Sequence, residues 1–453
     1  MDLVIKNTHF LDRNCQIRFG SIVMEKQKIK RIFYSESEVE LFLAESGFSG
    51  RVVDGENLVC IPGMTNAHLH PSKDLYRGLF LGQSLPTILS LIHQQNGQES
   101  DEDQYWASVY SYKRMIQMGV TTTGVFTSRY EPDLKAAEAS GIRCFLTYAV
   151  NEKWNGNGVS PQVISDEQAF ERVDQFLTSD ISDRISLSIG TSSELTSSPQ
   201  FMKDLYEVAK RKEVLFSLHV SEGETQSNKC KEVHGLHSVE FLNSLNILTE
   251  NTLLIHASFL TPKEVELIAN LPVKLVSCPL ANAFAQAGLF ELLKLSDGKC
   301  SIGLGTDAGM INPQNNLMAD ALFSYFSQRV MSKEKQVDFE KIFKLITVEG
   351  AKALGLNQVG VIEEGWEADI AIFSVLEHAP INEFNPLLLI TEVLMTSLAR
   401  YVVIGGELVI DDYEFKRMDE EFINQKFYSI KSRLAAPLMK HLQELESVDS
   451  LRH

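Results

Sequence analysis

The sequence predicts an α/β chain: a (β/α)8 TIM-type barrel with a small β-sandwich domain formed by both chain ends. Three observations predict it. Eight apolar, β-type runs recur between residues 58 and 306, most of them followed by helical patterns; that alternation is the signature of a parallel barrel. β-type texture with turns fills residues 1–57 and returns at 360–412. Neither stretch suffices for a sheet core alone, so the two together bracket the centre. Finally, residues able to ligate metal stand at the carboxyl end of four of the eight runs, where barrels of this kind carry their active groups.

Taken in order, Leu3-Val-Ile, Ile22-Val-Met and Ile29-Lys-Arg-Ile-Phe are the N-terminal strands. The barrel is expected over 58–359, its first strand at 58–66. Further strands are expected at 119–126, 142–149, 185–190, 213–219, 252–256, 273–277 and 300–306, with helices at 102–118, 166–178, 199–212, 261–270 and 314–331. A doubly wound open sheet is the alternative, but no early strand is followed by a Gly-rich phosphate turn. Gly360-Val-Ile, Ala368-Asp-Ile-Ala-Ile-Phe and Tyr401-Val-Val-Ile return the chain to the small β domain. Residues 413–453 form a polar helical tail, assigned to packing or oligomer contacts.

At 453 residues the chain exceeds what one core comfortably fills, consistent with a large domain and a smaller one. Its net charge of −18 argues against nucleic acid and anionic membrane surfaces, which need a positive footprint. The six cysteines are scattered, with no CxxC and no dense framework, as in a reducing compartment. Met1-Asp-Leu-Val-Ile-Lys has neither the basic start nor the long apolar run of a signal peptide, and no run reaches the ~18 apolar residues of a membrane span. A cytoplasmic location is the expectation.

His68 and His70 sit at i and i+2 at the end of the first run, so a strand points both imidazoles to one face. Two neutral imidazoles converging on one point suit a divalent transition metal. The fifth run ends in His219, with Glu222 three residues on; the sixth ends in His256; the eighth ends in Asp307. Five such placements on four strands, all at one end, constitute a site. His234 and His237, in the helical segment after the fifth strand, are assigned surface or packing roles, and His93 and His378 structural ones.

These residues carry a resemblance. Pro62-Gly-Met-Thr-Asn-Ala-His-Leu-His, Leu75-Tyr-Arg-Gly, His219-Val-Ser-Glu, His256-Ala-Ser-Phe-Leu, Ser277-Cys-Pro-Leu-Ala-Asn, Gly303-Leu-Gly-Thr-Asp and Ala368-Asp-Ile-Ala occur in that order across nearly the whole chain. The chain resembles the amidohydrolase superfamily, in its branch of metal-dependent deaminases and chlorohydrolases. The resemblance implies His68, His70, His219 and Asp307 as ligands of one divalent metal ion, zinc first and iron second. Two-metal relatives bridge their ions with a lysine on strand 4, and Ile185-Ser-Leu-Ser-Ile-Gly has none.

The chemistry it implies is hydrolytic deamination of a purine-, pterin- or triazine-like ring. A bound metal lowers the pKa of its water toward ~7 and supplies hydroxide at neutral pH. Asp307 takes the water's proton, Glu222 passes a proton to the ring nitrogen, and His256 orients the water or stabilises the developing oxygen. The same site could expel chloride, an alkylamine or a cyclic amide nitrogen, and a catalytically inactive scaffold is the remaining alternative. Arg77, Ser192, Glu194 and Asn282 are the candidate substrate residues, Arg77 reading first as a loop anchor. Relatives acting on adenosine-type compounds carry a histidine near Ser192, in a His-Ala-Pro-Tyr-like run that reads Thr191-Ser-Ser-Glu here. Glu194, if directed inward, favours a cationic or donor-rich substrate edge. The loops 71–99 and 150–161 are expected to shape the pocket. A homo-oligomer, dimer or larger, is expected from the family.

Overall fold

The computed structural model describes residues 2–152, 164–332, 337–375 and 386–449. Eight parallel strands form one sheet: β1 (Met64–Leu69), β2 (Val120–Thr127), β3 (Arg143–Ala149), β4 (Ile185–Ser193), β5 (Phe216–Val220), β6 (Thr252–His256), β7 (Lys274–Ser277) and β8 (Ser301–Leu304). They are joined in sequence order by helices, as the alternation of apolar runs predicts. The helix starts are explicit in the sequence. Asp101–Gln117, Asp166–Leu177 and Pro262–Ala269 each open on a reciprocal capping box, Ser100 with Asp103, Ser165 with Gln168 and Thr261 with Glu264, which satisfies otherwise orphaned first-turn N–H groups. The helix expected at 314–331 starts at Leu317 instead. Asn316 caps it by accepting from the amides of Met318 and Ala319, and Asn315 is held in the left-handed region at φ +49°.

The sheet closes on itself through the residues that matter most. Leu69 bridges Asp307 in parallel. The amide of Asp307 donates to the carbonyl of His68 at 2.9 Å, and that of His70 to the carbonyl of Asp307 at 3.3 Å. Asn66 and Thr306 complete the seam with side-chain hydrogen bonds of 2.8 and 3.0 Å. At Gly305 a β-carbon would lie 2.6 Å from the His68 nitrogen, so only glycine lets β8 approach β1 this closely.

Both chain ends build a second sheet of nine strands among the described residues: Leu3–Leu11, Ile17–Glu25, Lys28–Phe33, Arg51–Asp54, Leu58–Pro62, Ile370–Ser374, Tyr401–Ile404, Glu407–Asp411 and Glu414–Phe415. Both chain ends contribute to the second sheet, as expected: its strands form one continuous hydrogen-bonded path and share one buried apolar cluster. One expectation needs correction. The barrel starts at Met64, not at 58: Leu58–Pro62 pairs antiparallel with Ile370–Ser374 and parallel with His9 and Phe10. The run 58–66 is buried throughout, so its apolar pattern cannot say which sheet owns which half. Gly63 is the crossing point, where a β-carbon would sit 2.1 Å from the Thr121 hydroxyl.

Arg143, at the start of β3, fastens the second sheet to the barrel. It is buried, reaches both carboxylate oxygens of Asp369 at 2.7 and 3.0 Å, and meets Glu367 at 2.9 Å. The Ala368-Asp-Ile-Ala motif is therefore a structural clasp. The C-terminal helix Glu420–Asp449 lies along Asp101–Gln117, with Phe427 stacked on Tyr110 at 3.6 Å between ring centroids. Its Lys431 donates to the carbonyl of Arg77 at 3.0 Å, so the tail also braces the loop that follows β1. No helix among the described residues is long and apolar enough to cross a membrane.

Candidate active site

At the carboxyl ends of the barrel strands, β1 delivers His68 and, one residue past its end, His70. β5 delivers His219, β6 ends in His256, and Asp307 lies three residues beyond β8. Nε2 of His68 is 3.4 Å from Nε2 of His219 and 3.5 Å from Oδ1 of Asp307, and Nε2 of His70 is 3.7 Å from the same oxygen. Nε2 of His256 lies 3.8 Å from Oδ2 of Asp307 and 3.8 Å from Oε1 of Glu222. All six predicted chemical residues therefore surround one point.

The backbone bends to achieve this. His256, Ala257, Asp307 and Ser221 take left-handed conformations at φ +74°, +47°, +63° and +45°, unfavourable for side-chain-bearing residues and concentrated at functional sites. Each lies at or just beyond the carboxyl end of a barrel strand.

Burial sets the protonation states. It is the main cause that lowers the pKa of all four histidines: His68 falls well below the usual range, His70 and His256 to about 3, and His219 in the same direction. The rings are neutral at pH 7. His70 Nδ1 donates to the carbonyl of Phe126 at 2.8 Å and His219 Nδ1 to that of Ser192 at 2.6 Å. Each ring consequently presents a bare Nε2 to the centre, as outer-shell partners of metal-binding histidines arrange.

These donors fit a metal ion. Two ligands ~2.0–2.1 Å from a common tetrahedral ion lie roughly 3.3–3.4 Å apart, and the His68–His219 separation is 3.4 Å. His68, His70 and Asp307 form one group of mutually close donor atoms, and His68, His219 and His256 another. Oδ2 of Asp307 is buried without a hydrogen-bond partner among the described residues, a costly state for a carboxylate facing only neutral rings. No lysine stands on β4.

Two groups flank the donors. Burial first, then the charges of Asp307 and Glu194, pushes the Glu222 carboxyl up to about 8, so it carries a proton at neutral pH. His256 donates from Nδ1 to Oδ1 of Asn282 at 3.0 Å, leaving its Nε2 lone pair between Asp307 and Glu222.

The remaining candidates occupy distinct places. Asn282 contacts His256 and leaves its own Nδ2 buried without a partner among the described residues. Ser192 lies beside His219, and its hydroxyl accepts from Asn151 at 2.9 Å. Arg77 pairs with Asp74 at 2.7 Å and donates to the carbonyl of Pro313 at 2.7 Å, tying the loop after β1 to the loop after β8 as an anchor. Glu194 is fully buried and accepts from Ser238, Gln226 and the amide of Ser221. Its oxygens are directed into the loop after β5, which removes the basis for a direct substrate contact. His234 stacks on Phe241 at 3.8 Å, and His237 meets the Ser227 hydroxyl at 3.2 Å. The side chain of His93, the residue His378 and most of the loop 150–161 lie outside the described residues.

Sequence reasoning missed three contributors. Phe126 acts through a carbonyl, which leaves no trace in a side chain. Gln226 accepts the Glu222 amide at 3.2 Å; its only sequence signal is a position four residues on. Cys278 places its sulfur within 4.8 Å of donor atoms on His256 and Asp307, and its thiol is pushed well up by burial. Nothing in its sequence spacing separates it from the other scattered cysteines.

The Amidohydrolase family model matches residues 59–409. The chain belongs to the amidohydrolase family. It is a metal-dependent hydrolase acting on carbon–nitrogen bonds. The chain is 26% identical to a 5-methylthioadenosine/S-adenosylhomocysteine deaminase of Carboxydothermus hydrogenoformans, over 93% of this chain and 96% of that one. Among solved structures it superimposes on a zinc-bound adenosine deaminase from Xanthomonas campestris with a TM-score of 0.85, at 18% identity over 96% of this chain and 99% of that one. It also superimposes on atrazine chlorohydrolase from Arthrobacter aurescens complexed with zinc, with a TM-score of 0.83, at 17% identity over 95% and 100%. Those two likenesses speak for the fold.

Proposed function

We propose that this amidohydrolase is a hydrolytic deaminase that removes the exocyclic amine of a purine-type ring, with a 5′-thioether adenosine as the first substrate to test. The observation that carries the reading is one cluster. His68, His70, His219 and Asp307 converge, and Glu222 and His256 stand 3.8 Å apart on one side of them. The end-to-end match to a deaminase named for adenosine thioethers supports the substrate class.

The four donors would hold one ion, and the zinc-bound neighbours support zinc. When bound, such an ion supplies a Lewis acid that activates water at neutral pH. The chain's own groups do the rest. His256, neutral and with Nδ1 committed to Asn282, orients the attacking water by accepting from it at Nε2. Oδ2 of Asp307 accepts that water's proton. Glu222 delivers its proton to the ring nitrogen beside the attacked carbon. The water oxygen bonds to that carbon, the exocyclic carbon–nitrogen bond breaks, and ammonia leaves with the proton Asp307 returns; the proton left on the new hydroxyl passes to Glu222 as the carbonyl forms, which restores both carboxyl groups.

Free cysteines at all six positions support a reducing, cytoplasmic setting.

The test is ammonia release by metal-loaded protein from 5′-methylthioadenosine, S-adenosylhomocysteine, adenosine, guanine, a pterin and amino- and chloro-triazines. Release from an adenosine thioether, lost on chelation and regained with zinc, is the expected result. Chloride release without ammonia, or silence from fully loaded protein, overturns the reading.

A further inference from the structure

Glu194 lies just beyond the end of β4 with no exposed surface. Its Oε1 accepts from the Ser238 hydroxyl and, at 3.4 Å, from the Ser221 amide, and its Oε2 accepts from the Gln226 amide nitrogen at 2.7 Å. Every partner is a neutral donor. Burying a carboxylate among neutral groups is costly, and burial pushes its pKa up. An amide at this place could not meet the same demand, because one of its two polar ends is itself a donor.

What the carboxylate organises is the peptide that carries Glu222. Because Gln226 must donate from Nε2 to Glu194, its Oε1 is turned to accept the Glu222 amide at 3.2 Å. The Ser221 amide meets Glu194 directly, and the Ser221 carbonyl accepts from the amides of Ser258 and Phe259, both at 3.2 Å. The segment needs this tethering: Ser221 is left-handed at φ +45°. The helix Glu224–His234 that follows has Gly223 as its cap residue and no side-chain cap.

We propose that Glu194 is the positioning residue for Glu222, fixing the proton-donor segment through the polarity of its hydrogen bond to Gln226. This rests on the reading of Glu222 as the group that protonates the ring. A displacement of about 1 Å at a reacting group costs ~10²-fold in rate, so a positioning role is kinetically visible.

The test uses the full chain loaded with zinc and 5′-methylthioadenosine as substrate. In Glu194→Gln one end of the side chain becomes a donor. With the new nitrogen toward Gln226 the pair meets donor to donor, Gln226 turns over and the Glu222 amide loses its acceptor. With it toward Ser238 the Ser221 amide loses its acceptor, so either orientation releases one amide of this segment. We expect kcat to fall ~10–100-fold with KM within threefold and zinc content unchanged. Hydrogen exchange across residues 221–226 should accelerate. Adding Gln226→Glu to Glu194→Gln reverses the polarity of the pair. The carboxylate now at position 226 accepts from both the introduced side-chain amide and the Glu222 backbone amide; exchange protection should return, and kcat with it. Unchanged kcat and exchange in the single variant overturn the proposal. So does a loss of kcat with no change in exchange, or a double variant as impaired as the single one. If the wild-type protein deaminates nothing, the functional reading fails, and hydrogen exchange alone still decides whether Glu194 holds this segment.

Discussion

Replacing Glu222 with Gln tests the proton donor directly. The change is isosteric and leaves the four proposed metal donors untouched, so zinc content and fold should persist. What it removes is a group that carries a proton at pH 7 because burial, followed by the charges of Asp307 and Glu194, pushes its pKa up to about 8. Positioned general acid–base groups contribute ~10²–10⁴-fold, or ~2.7–5.5 kcal/mol of barrier at 1.36 kcal/mol per decade. A kcat lowered by that factor is the expectation, with KM little changed. The pH dependence supplies a second, independent signature. The working form is protonated, so activity is full well below the pKa and lost as pH rises through it. At about pH 9 roughly one Glu222 in ten still carries its proton, and the wild-type rate should stand roughly tenfold below its neutral plateau. The residual activity of the Gln variant should lack that limb. Both are measured by ammonia release, or by the ultraviolet change on converting the amino ring to a keto ring, from about pH 6 to 10 at saturating substrate. A variant retaining more than about a third of wild-type kcat, or showing the same basic limb, would refute Glu222 as the donor.

Two further outcomes follow from the structure. On the proposed mechanism Asp307→Asn removes both a metal donor and the buried oxygen that accepts the water's proton; turnover should fall by ~10³-fold or more with the circular dichroism spectrum retained, and preserved turnover would sink the mechanism. Phe427→Ala removes the ring stacked on Tyr110 between the C-terminal helix and Asp101–Gln117. Urea denaturation should show a loss of ~3–5 kcal/mol, as for other buried Phe-to-Ala changes. A loss under about 1 kcal/mol would mean that the helix does not clamp the barrel.

Much of this molecule is legible along the chain. His68, His70, His219, His256 and Asp307 announce themselves because each follows an apolar run at a strand's carboxyl end, and period-two alternation places His68 and His70 on one face. The helices begin at capping boxes that can be read as text. Leu58–Pro62 escapes correct assignment because a run buried on both faces has no alternation to reveal its partner. Glu194 reads as a residue facing substrate, yet it serves Ser221, Gln226 and Ser238. A residue past a strand's end has no periodicity to direct it, and its partners lie 27 to 44 positions away. The tautomers of His70 and His219 depend on the carbonyls of Phe126 and Ser192, groups that every residue possesses and no sequence marks.

Local pattern, then, carries the barrel and the placement of His68, His70, His219, His256 and Asp307 at strand ends, since strand and helix periods are set by neighbours a few residues apart; the roles proposed for them and for Glu222 come from the resemblance to the amidohydrolases. Tertiary structure alone decided which sheet takes Leu58–Pro62, how β8 closes against β1 at Gly305, which nitrogen each histidine turns to the centre, and that Glu194 faces the loop carrying Glu222. Each of those depends on hydrogen bonds or steric contact between segments distant in the chain. Their partners are settled only when the packed barrel brings them together and burial makes an unpaired polar group too costly to leave.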